Sequence, residues 1–370
     1  MHVGLNLIFL VPGQTGGMEI AARALMPALR AAAPGVRLTA FVNREAADED
    51  FGIDRVVVPV KASNRIEWVR GEQFLLPNLA ERAGCDVVHS LASTAPGRGR
   101  FTRVVTVHDL NYLVVPEAHF GLRGLGMRVL VPLAARRSHR VLADSGATRD
   151  DLVSRLGVRS EKIDVVPLGI GRPAVSTPTP ERELRVRLGL GERPLVLSLS
   201  AKRPHKNLGV LLDALGLIPV QRRPVAVLAG YPTPHEQELR ARAERLGLRD
   251  DVRFEGWTSD EDAEGLLAAS ACFVFPSLYE GFGLPVLEAM ARGVPVACSD
   301  RASLPEVAGG AARLFDPARP EQIAAAIEAL IGNPQEAERL RVAGRIRAAQ
   351  FTWEKTARLT LESYARASRR

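Results

Sequence analysis

Pro276-Ser277-Leu278-Tyr279-Glu280-Gly281-Phe282-Gly283-Leu284-Pro285-Val286-Leu287-Glu288-Ala289-Met290 is the stretch whose reading decides the fold. The apolar run Ala271–Phe275 before it reads as a buried strand. Pro285 suits the first turn of a helix, where its missing N–H costs nothing. The backbone N–H groups of Phe282, Gly283 and Leu284 would then point beyond the strand end and form an anion site. Two carboxylates, Glu280 and Glu288, bracket that site. Carboxylates do not serve phosphate alone. They do serve a phosphorylated polyol, whose hydroxyls donate to acids while the turn holds the phosphates.

Outward from this stretch, short apolar runs alternate with helical segments. Strands are expected at Val3–Val11, Val36–Val42, Val56–Val60, Asp86–His89, Val104–Val107, Val141–Ala143 and Asp164–Val166. A second series is expected at Leu195–Leu199, Val225–Ala229, Val252–Phe254, Cys272–Phe275, Val294–Cys298 and Arg313–Phe315. Helices are expected at Lys206–Leu217, Glu236–Leu246, Asp260–Ala268 and Pro285–Ala291, with Pro27 kinking or interrupting an earlier one. Unbroken Val/Leu strands between helices imply parallel sheets covered on both faces, so the fold class is α/β with two Rossmann-like domains. The Pro/Ser/Thr-rich segment Gly169–Pro180 marks the connector. The expected domains are 1–172 and 173–350. A helix at 335–349 is followed by a break at Phe351-Thr352-Trp353 and a final helical run to about Ala367.

Composition bounds the function. The chain has 370 residues, too many for one ordinary core, with 46% hydrophobic and 25% charged residues, the balance of a soluble globular protein. Its net charge of +7 attracts anions generally, but only 5% of residues are aromatic and none interleave with basic runs, which excludes a single-strand nucleic-acid groove. No apolar run reaches membrane-spanning length. The opening segment, Met1–Val11, lacks a basic leader and a cleavage site, so it reads as a first strand rather than a signal peptide. Cys85, Cys272 and Cys298 are scattered, with no C-x-x-C pair, which fits a reducing cytoplasm.

Three further segments carry chemistry. Leu199-Ser200-Ala201-Lys202-Arg203-Pro204-His205-Lys206-Asn207 follows a strand and opens a helix, gathering three cations where ligands of α/β sheets bind. A basic helix start is unfavourable unless an anion joins it. Val104-Val105-Thr106-Val107-His108-Asp109 ends a strand in a histidine and an acid. Pro12-Gly13-Gln14-Thr15-Gly16-Gly17 allows close backbone approach at a helix start but is no dinucleotide fingerprint. The triplet Asp260-Glu261-Asp262 follows Ser259 and reads as a capped first turn; Asp48-Glu49-Asp50 reads as a loop. No metal site is expected. Residues 119–140 set Arg123, Arg128, Arg136, Arg137 and Arg140 around Val129–Leu133. This is either a helix with a buried stripe and solvated arginines, the favoured reading, or a peripheral membrane face for a lipid-linked acceptor.

The string Glu280 to Glu288, with Ala289-Met290-Ala291-Arg292-Gly293-Val294-Pro295-Val296 after it, resembles the signature of glycosyltransferase family 4, retaining enzymes of the GT-B fold. The resemblance implies two Rossmann-like domains facing a cleft, with segment 351–370 returning to the first. It implies a nucleotide-diphospho-sugar donor, linked to UDP, GDP or dTDP, as substrate and no cofactor. Glu280 would sit by the sugar hydroxyls, Glu288 at the ribose and Lys206 at the diphosphate, with Ser200 and the Phe282, Gly283 and Leu284 amides nearby. The family's arginine five residues before Lys206 is Ala201 here; Arg203 is the chosen replacement and Lys202 the alternative. His108 would approach the sugar, Asp109 would lie on the acceptor side, Gly16 and Gly17 beside the diphosphate, and Gly256 near the base beside Trp257. Catalysis is assigned to His108, Lys206 and Glu280. Retention would follow front-face attack, the leaving phosphate taking the acceptor proton. The acceptor would be a saccharide or lipid-linked saccharide, in polysaccharide, glycolipid or glycoconjugate synthesis. The location would be cytoplasmic or peripheral on the membrane's inner face. A nucleotide-sugar epimerase and a non-catalytic sugar-nucleotide-binding subunit are the rivals.

Overall fold

The computed structural model describes residues 1–115, 121–172 and 175–369, with backbone alone for 121–125. Pro173 of the connector, residues 119 and 120, and the side chain of Arg123 lie outside the described residues. The chain forms two compact units, Met1–Gly171 with Phe351–Arg370, and Arg172–Gln350.

The first unit holds seven parallel strands: β1 (His2–Leu7), β2 (Arg37–Val42), β3 (Asp54–Val57), β4 (Val87–Ser90), β5 (Thr102–Val107), β6 (Arg140–Ala143) and β7 (Ile163–Val165). Their order is β3-β2-β1-β4-β5-β6-β7. The second unit holds β8 (Leu195–Leu199), β9 (Val225–Ala229), β10 (Val252–Glu255), β11 (Cys272–Phe275), β12 (Val296–Ser299) and β13 (Arg313–Phe315), in the order β10-β9-β8-β11-β12-β13. In each sheet the winding reverses once, between β1 and β4 and between β8 and β11. A doubly wound sheet opens its ligand crevice outside the carboxyl ends of the strands at that reversal.

Burial explains the parallel pairing. Every residue of β8, β9 and β11 is buried, because helices cover both faces. In the second unit Leu211, Leu212 and Leu215 of the helix Leu208–Leu217 pack with Val196, Val274 and Ile327. Each such side chain contributes roughly 2 kcal/mol of burial. In the first unit Leu25, Met26 and Leu29 of the helix Gly17–Ala32 pack with Ala357 and Tyr364 of the last helix, Trp353–Ser368. Thr352 caps that last helix by accepting from Lys355 N, and Trp353 Nε1 donates to Ile170 O at 2.7 Å.

Several expected boundaries move. β1 stops at Leu7, not Val11, because the chain turns there: Leu10 N donates to Leu7 O, and Asn43 Nδ2 donates to both Ile8 O and Leu10 O. β12 starts at Val296, not Val294, since Val294 N still belongs to the preceding turn through Ala289 O. The helix Gly17–Ala32 runs through Pro27 instead of stopping there. Pro27 is exposed, so the carbonyl it leaves without a partner falls on the solvent side while the buried stripe holds the helix. Lys206 lies outside the Leu208–Leu217 helix, in a short 3-10 turn, Pro204–Lys206, closed by Asn207 at φ +56°. The helix Gly121–Arg137 buries Val131, Ala134 and Ala135 and exposes Arg128, Val129, Arg136 and Arg137. Among the described residues no helix is long and apolar enough to cross a membrane.

Candidate functional site

In the second unit the loops after β8 and β11 meet at the reversal point. Lys206 Nζ donates to Glu280 Oε1 at 2.5 Å, and Ser277 Oγ donates to the same oxygen at 2.5 Å. Both charged side chains are largely covered, 16% and 14% exposed, so their attraction is less screened than at a surface. Lys206 Nζ also stands 5.3 Å from the Phe275 ring centroid, a cation–π distance. Asn207 holds the frame. Its side chain donates to Pro276 O at 3.1 Å and Pro317 O at 2.8 Å, joining the loops that follow β8, β11 and β13. Leu278 N donates to His205 O at 2.8 Å, a further stitch between the first two.

Gly283 opens the helix Leu284–Ala291 at φ +115°, and a Cβ there would lie 2.8 Å from Leu304 Cδ2. Only glycine meets both conditions. Phe282 is buried, and its carbonyl and that of Glu280 lie 2.7 and 2.9 Å from Ser303 Oγ. Glu288 lies on this helix, 5% exposed, and its Oε1 accepts from Arg172 N at 2.9 Å. Burial pushes its carboxyl up, while Arg172 and Arg292 pull the other way. The Arg172 guanidinium sits 5.6 Å over the Trp257 ring, and Trp257 is 55% exposed. Gly256 is exposed beside it, its carbonyl accepting from Gly230 N.

The two candidate phosphate cations differ in their surroundings. Lys202 is fully buried and donates to Gly230 O at 2.9 Å and Glu255 O at 2.5 Å, with Glu236 Oε2 3.4 Å away. It ties the ends of β9 and β10 together and is spent. Burial pushes its pKa down and Glu236 opposes that. Arg203 is partly exposed and makes no ion pair among the described residues. Ser200 Oγ is buried with no hydrogen-bond partner among the described residues, an unsatisfied polar atom at the end of β8. Gly230 was not expected: it sits at φ +140°, where a Cβ would fall 2.2 Å from Ser200 O. The pair Ala229-Gly230 after an apolar strand was the available signal.

In the first unit the loop Val11–Gly16 is closed by Thr15, whose Oγ1 accepts from Val11 N, and by Glu19 Oε2, which accepts from Gly13 N at 3.0 Å. Gly16 takes φ +64° and precedes Gly17, the first helical residue. His108 directly follows β5. Its Nδ1 is 2.6 Å from Asp144 Oδ2 and its Nε2 is 2.7 Å from Leu91 O. Burial alone would push the ring down; the Asp144 carboxylate, with the bonds to Asp144 and Leu91, outweighs it and raises the ring to about 9. Both ring nitrogens have partners inside the first unit. Asp109 Oδ1 accepts from Asn111 N at 3.0 Å at the start of the next turn. Asp144 escaped the sequence reading, although Asp144-Ser145 follows an apolar strand and Ser145 caps a helix.

The candidates therefore fall into two groups, one at the strand ends of each unit. Lys206 and Glu280 touch; His108 is joined to an acid not foreseen. No group of three or more His, Cys, Asp or Glu side chains suited to a metal is present among the described residues.

Comparison with known proteins follows the same division. The family described as Glycosyl transferases group 1 matches residues 180–347, and that described as Glycosyltransferase Family 4 matches residues 15–171. O-antigen chain mannosyltransferase B of Escherichia coli is 31% identical over 298 residues, covering 80% of this chain and 73% of the relative. An MMP alpha-(1->4)-mannosyltransferase of Mycolicibacterium hassiacum is 35% identical over 237 residues, 63% of this chain but only 55% of the relative. Sucrose-phosphate synthase from Thermosynechococcus elongatus superposes with a TM-score of 0.78 at 22% identity, over 99% of this chain and 98% of that one. Anabaena HepE, solved with UDP and glucose, superposes at 0.77 and 23% identity, over 99% and 100%. The fold is GT-B.

Proposed function

Because this chain belongs to glycosyltransferase family 4, the glycosyl transferases group 1, we propose that it moves a hexose from a nucleotide-diphospho-sugar to a hydroxyl acceptor with retention at the anomeric carbon. The observation that carries the reading is the Lys206–Glu280–Ser277 cluster at the β8/β11 reversal. A cation and a fixed carboxylate side by side supply the two chemistries that a diphosphate and a polyol call for, which supports the reading. On this reading Lys206, Arg203 and the amides of the Phe282–Leu284 turn take up the negative charge that develops on the departing diphosphate. Glu280 orients the sugar hydroxyls and Glu288 the ribose. The leaving phosphate accepts the acceptor proton, and no protein nucleophile or metal ion is needed. Mannosyl transfer to a saccharide acceptor in polysaccharide synthesis is the first specificity to test, since both relatives above are named as mannosyltransferases.

The test is an incubation of the protein with GDP-mannose, UDP-glucose and dTDP-sugars, with and without mannosyl acceptors, in the presence of a chelator. Nucleoside diphosphate release that rises with acceptor, and a product of the donor's anomeric configuration, is expected. Donor interconversion without acceptor would point to an epimerase instead. An absolute requirement for added divalent metal would reject the metal-free part of the reading.

A further inference from the structure

The loops of the second unit hold Glu280 more firmly than they hold Lys206. The Glu280 carbonyl lies 2.9 Å from Ser303 Oγ, and its side-chain Oε1 accepts from the buried Ser277. Lys206 carries its charge on a four-carbon stem of rotatable bonds, and its ammonium rests on the same Oε1. The pair is therefore a fixed acid and a cation that can swing. A phosphate that takes Lys206 either draws it off Oε1 or adds negative charge beside it. In both cases a carboxylate only 14% exposed loses compensation, which is costly. A ligand with hydroxyls next to its phosphates offsets that cost by donating to the acid. A bare diphosphate has none to donate. We propose that the Lys206–Glu280 pair is a resting contact that disfavours a bare diphosphate and yields to one bearing a polyol, so that Glu280 sets the preference of the site for the nucleotide-diphospho-sugar over the nucleoside diphosphate. This rests on the proposed transfer reaction and assigns the resting state of its site.

The surroundings support the assignment. Among the described residues Lys206 is the cation paired with Glu280, while Lys202 faces Glu236 and two carbonyls instead. Drawing Lys206 away therefore leaves Ser277 as the donor on Oε1, a neutral hydroxyl in place of a charge. The backbone on both sides of the pair is braced. Asn207, directly after Lys206, bonds Pro276 O and Pro317 O, and Leu278 N donates to His205 O, directly before it. Exchange of partners thus needs rotation of the Lys206 stem and no movement of either loop. Once the diphosphate leaves, the acid is already in place to take the ammonium back, which favours release of the spent nucleotide.

The experiment is calorimetry on the full-length protein with inorganic pyrophosphate, GDP, UDP, GDP-mannose and UDP-glucose, acceptor omitted, beside a crystal structure of the wild type with pyrophosphate. Glu280→Gln keeps the shape and removes the charge. It should bind pyrophosphate and the preferred nucleoside diphosphate roughly tenfold more tightly than the wild type, and the matching nucleotide sugar by less than about threefold more tightly. In the wild-type crystal, Lys206 Nζ should lie on a phosphate oxygen and off Glu280 Oε1. Equal pyrophosphate affinity in the wild type and a folded Glu280→Gln overturns the proposal. So does a wild-type crystal with pyrophosphate bound and the Lys206–Glu280 contact intact, a result that needs no variant to fold. Either of those leaves the transfer function standing. A wild type that binds none of the five ligands defeats the function, and the proposal with it.

Discussion

On the proposed reading, much of the chemistry rests on two single side chains, Lys206 and Glu280. With Lys206 removed, Ser277 remains on the Glu280 carboxylate but the cation proposed for the diphosphate is gone. Lys206→Ala should cost roughly 2.7–4 kcal/mol of transition-state stabilisation, about a hundredfold to a thousandfold in kcat/KM, with little change in melting temperature. Glu288→Ala should weaken nucleoside diphosphate binding by about 1.5–3 kcal/mol, read by calorimetry, as for a lost charged hydrogen bond. Glu72 offers a different test. Fully enclosed, it accepts from Asn6 Nδ2 at 3.0 Å and Thr94 Oγ1 at 2.9 Å, and burial raises it to about 7 against the opposing hydrogen bonds. The folded state therefore keeps a proton that the unfolded chain loses near pH 4.5. Stability is lost as pH rises from there through about 7. Glu72→Gln should be more favourable at pH 8 than at pH 5, by up to about 3 kcal/mol, seen as a change in the melting-temperature difference from wild type. Lys206, Glu280 and His108 stood out in sequence because each lies in a segment that follows an apolar strand, and Glu288 because it falls eight residues after Glu280 in the string that resembles the family signature. The internal commitment of Lys202 was not, because its side chain turns toward Gly230 and Glu255, carbonyls 28 and 53 residues away.

Elements are placed by periodicity and closed by special backbone positions. The turn into the Leu284–Ala291 helix depends on Gly283. Gly283→Ala adds a methyl 2.8 Å from Leu304 Cδ2 at φ +115°. It should cost about 1–3 kcal/mol of stability and move the amides at the helix start, so that nucleotide affinity falls together with melting temperature. Among the described residues, all thirteen strands lie where apolar runs put them, within a few residues. The misplaced ends, at β1, β12 and the helix after Asn207, were decided by turn hydrogen bonds, from backbone and from Asn43, and by a left-handed residue. An apolar run does not report those. Pro27 shows the converse, since a helix breaker is tolerated when its unpaired carbonyl faces water.

On the scale of the whole molecule, the last segment belongs with the first. Phe351–Arg370 joins residues 1–171 in one unit, its Tyr364 fully buried and bonded to His89, its Thr356 bonded to Pro167 O at 2.7 Å. A chain ending at Gln350 should lose the melting transition of the first unit in calorimetry while that of Arg172–Gln350 persists, because a buried face of the helix Gly17–Ala32 is laid open. The amino-acid sequence by itself determined the α/β class, the two series of strands and the residues at their carboxyl ends. Those follow from hydrophobic period and turn chemistry within windows of about ten to twenty residues. Only the tertiary structure decided that Asp144 stands beside His108, that Lys202 faces inward and that Asn207 ties three loops. Each depends on strand register and on contacts between residues far apart in the chain, and no local pattern carries that information.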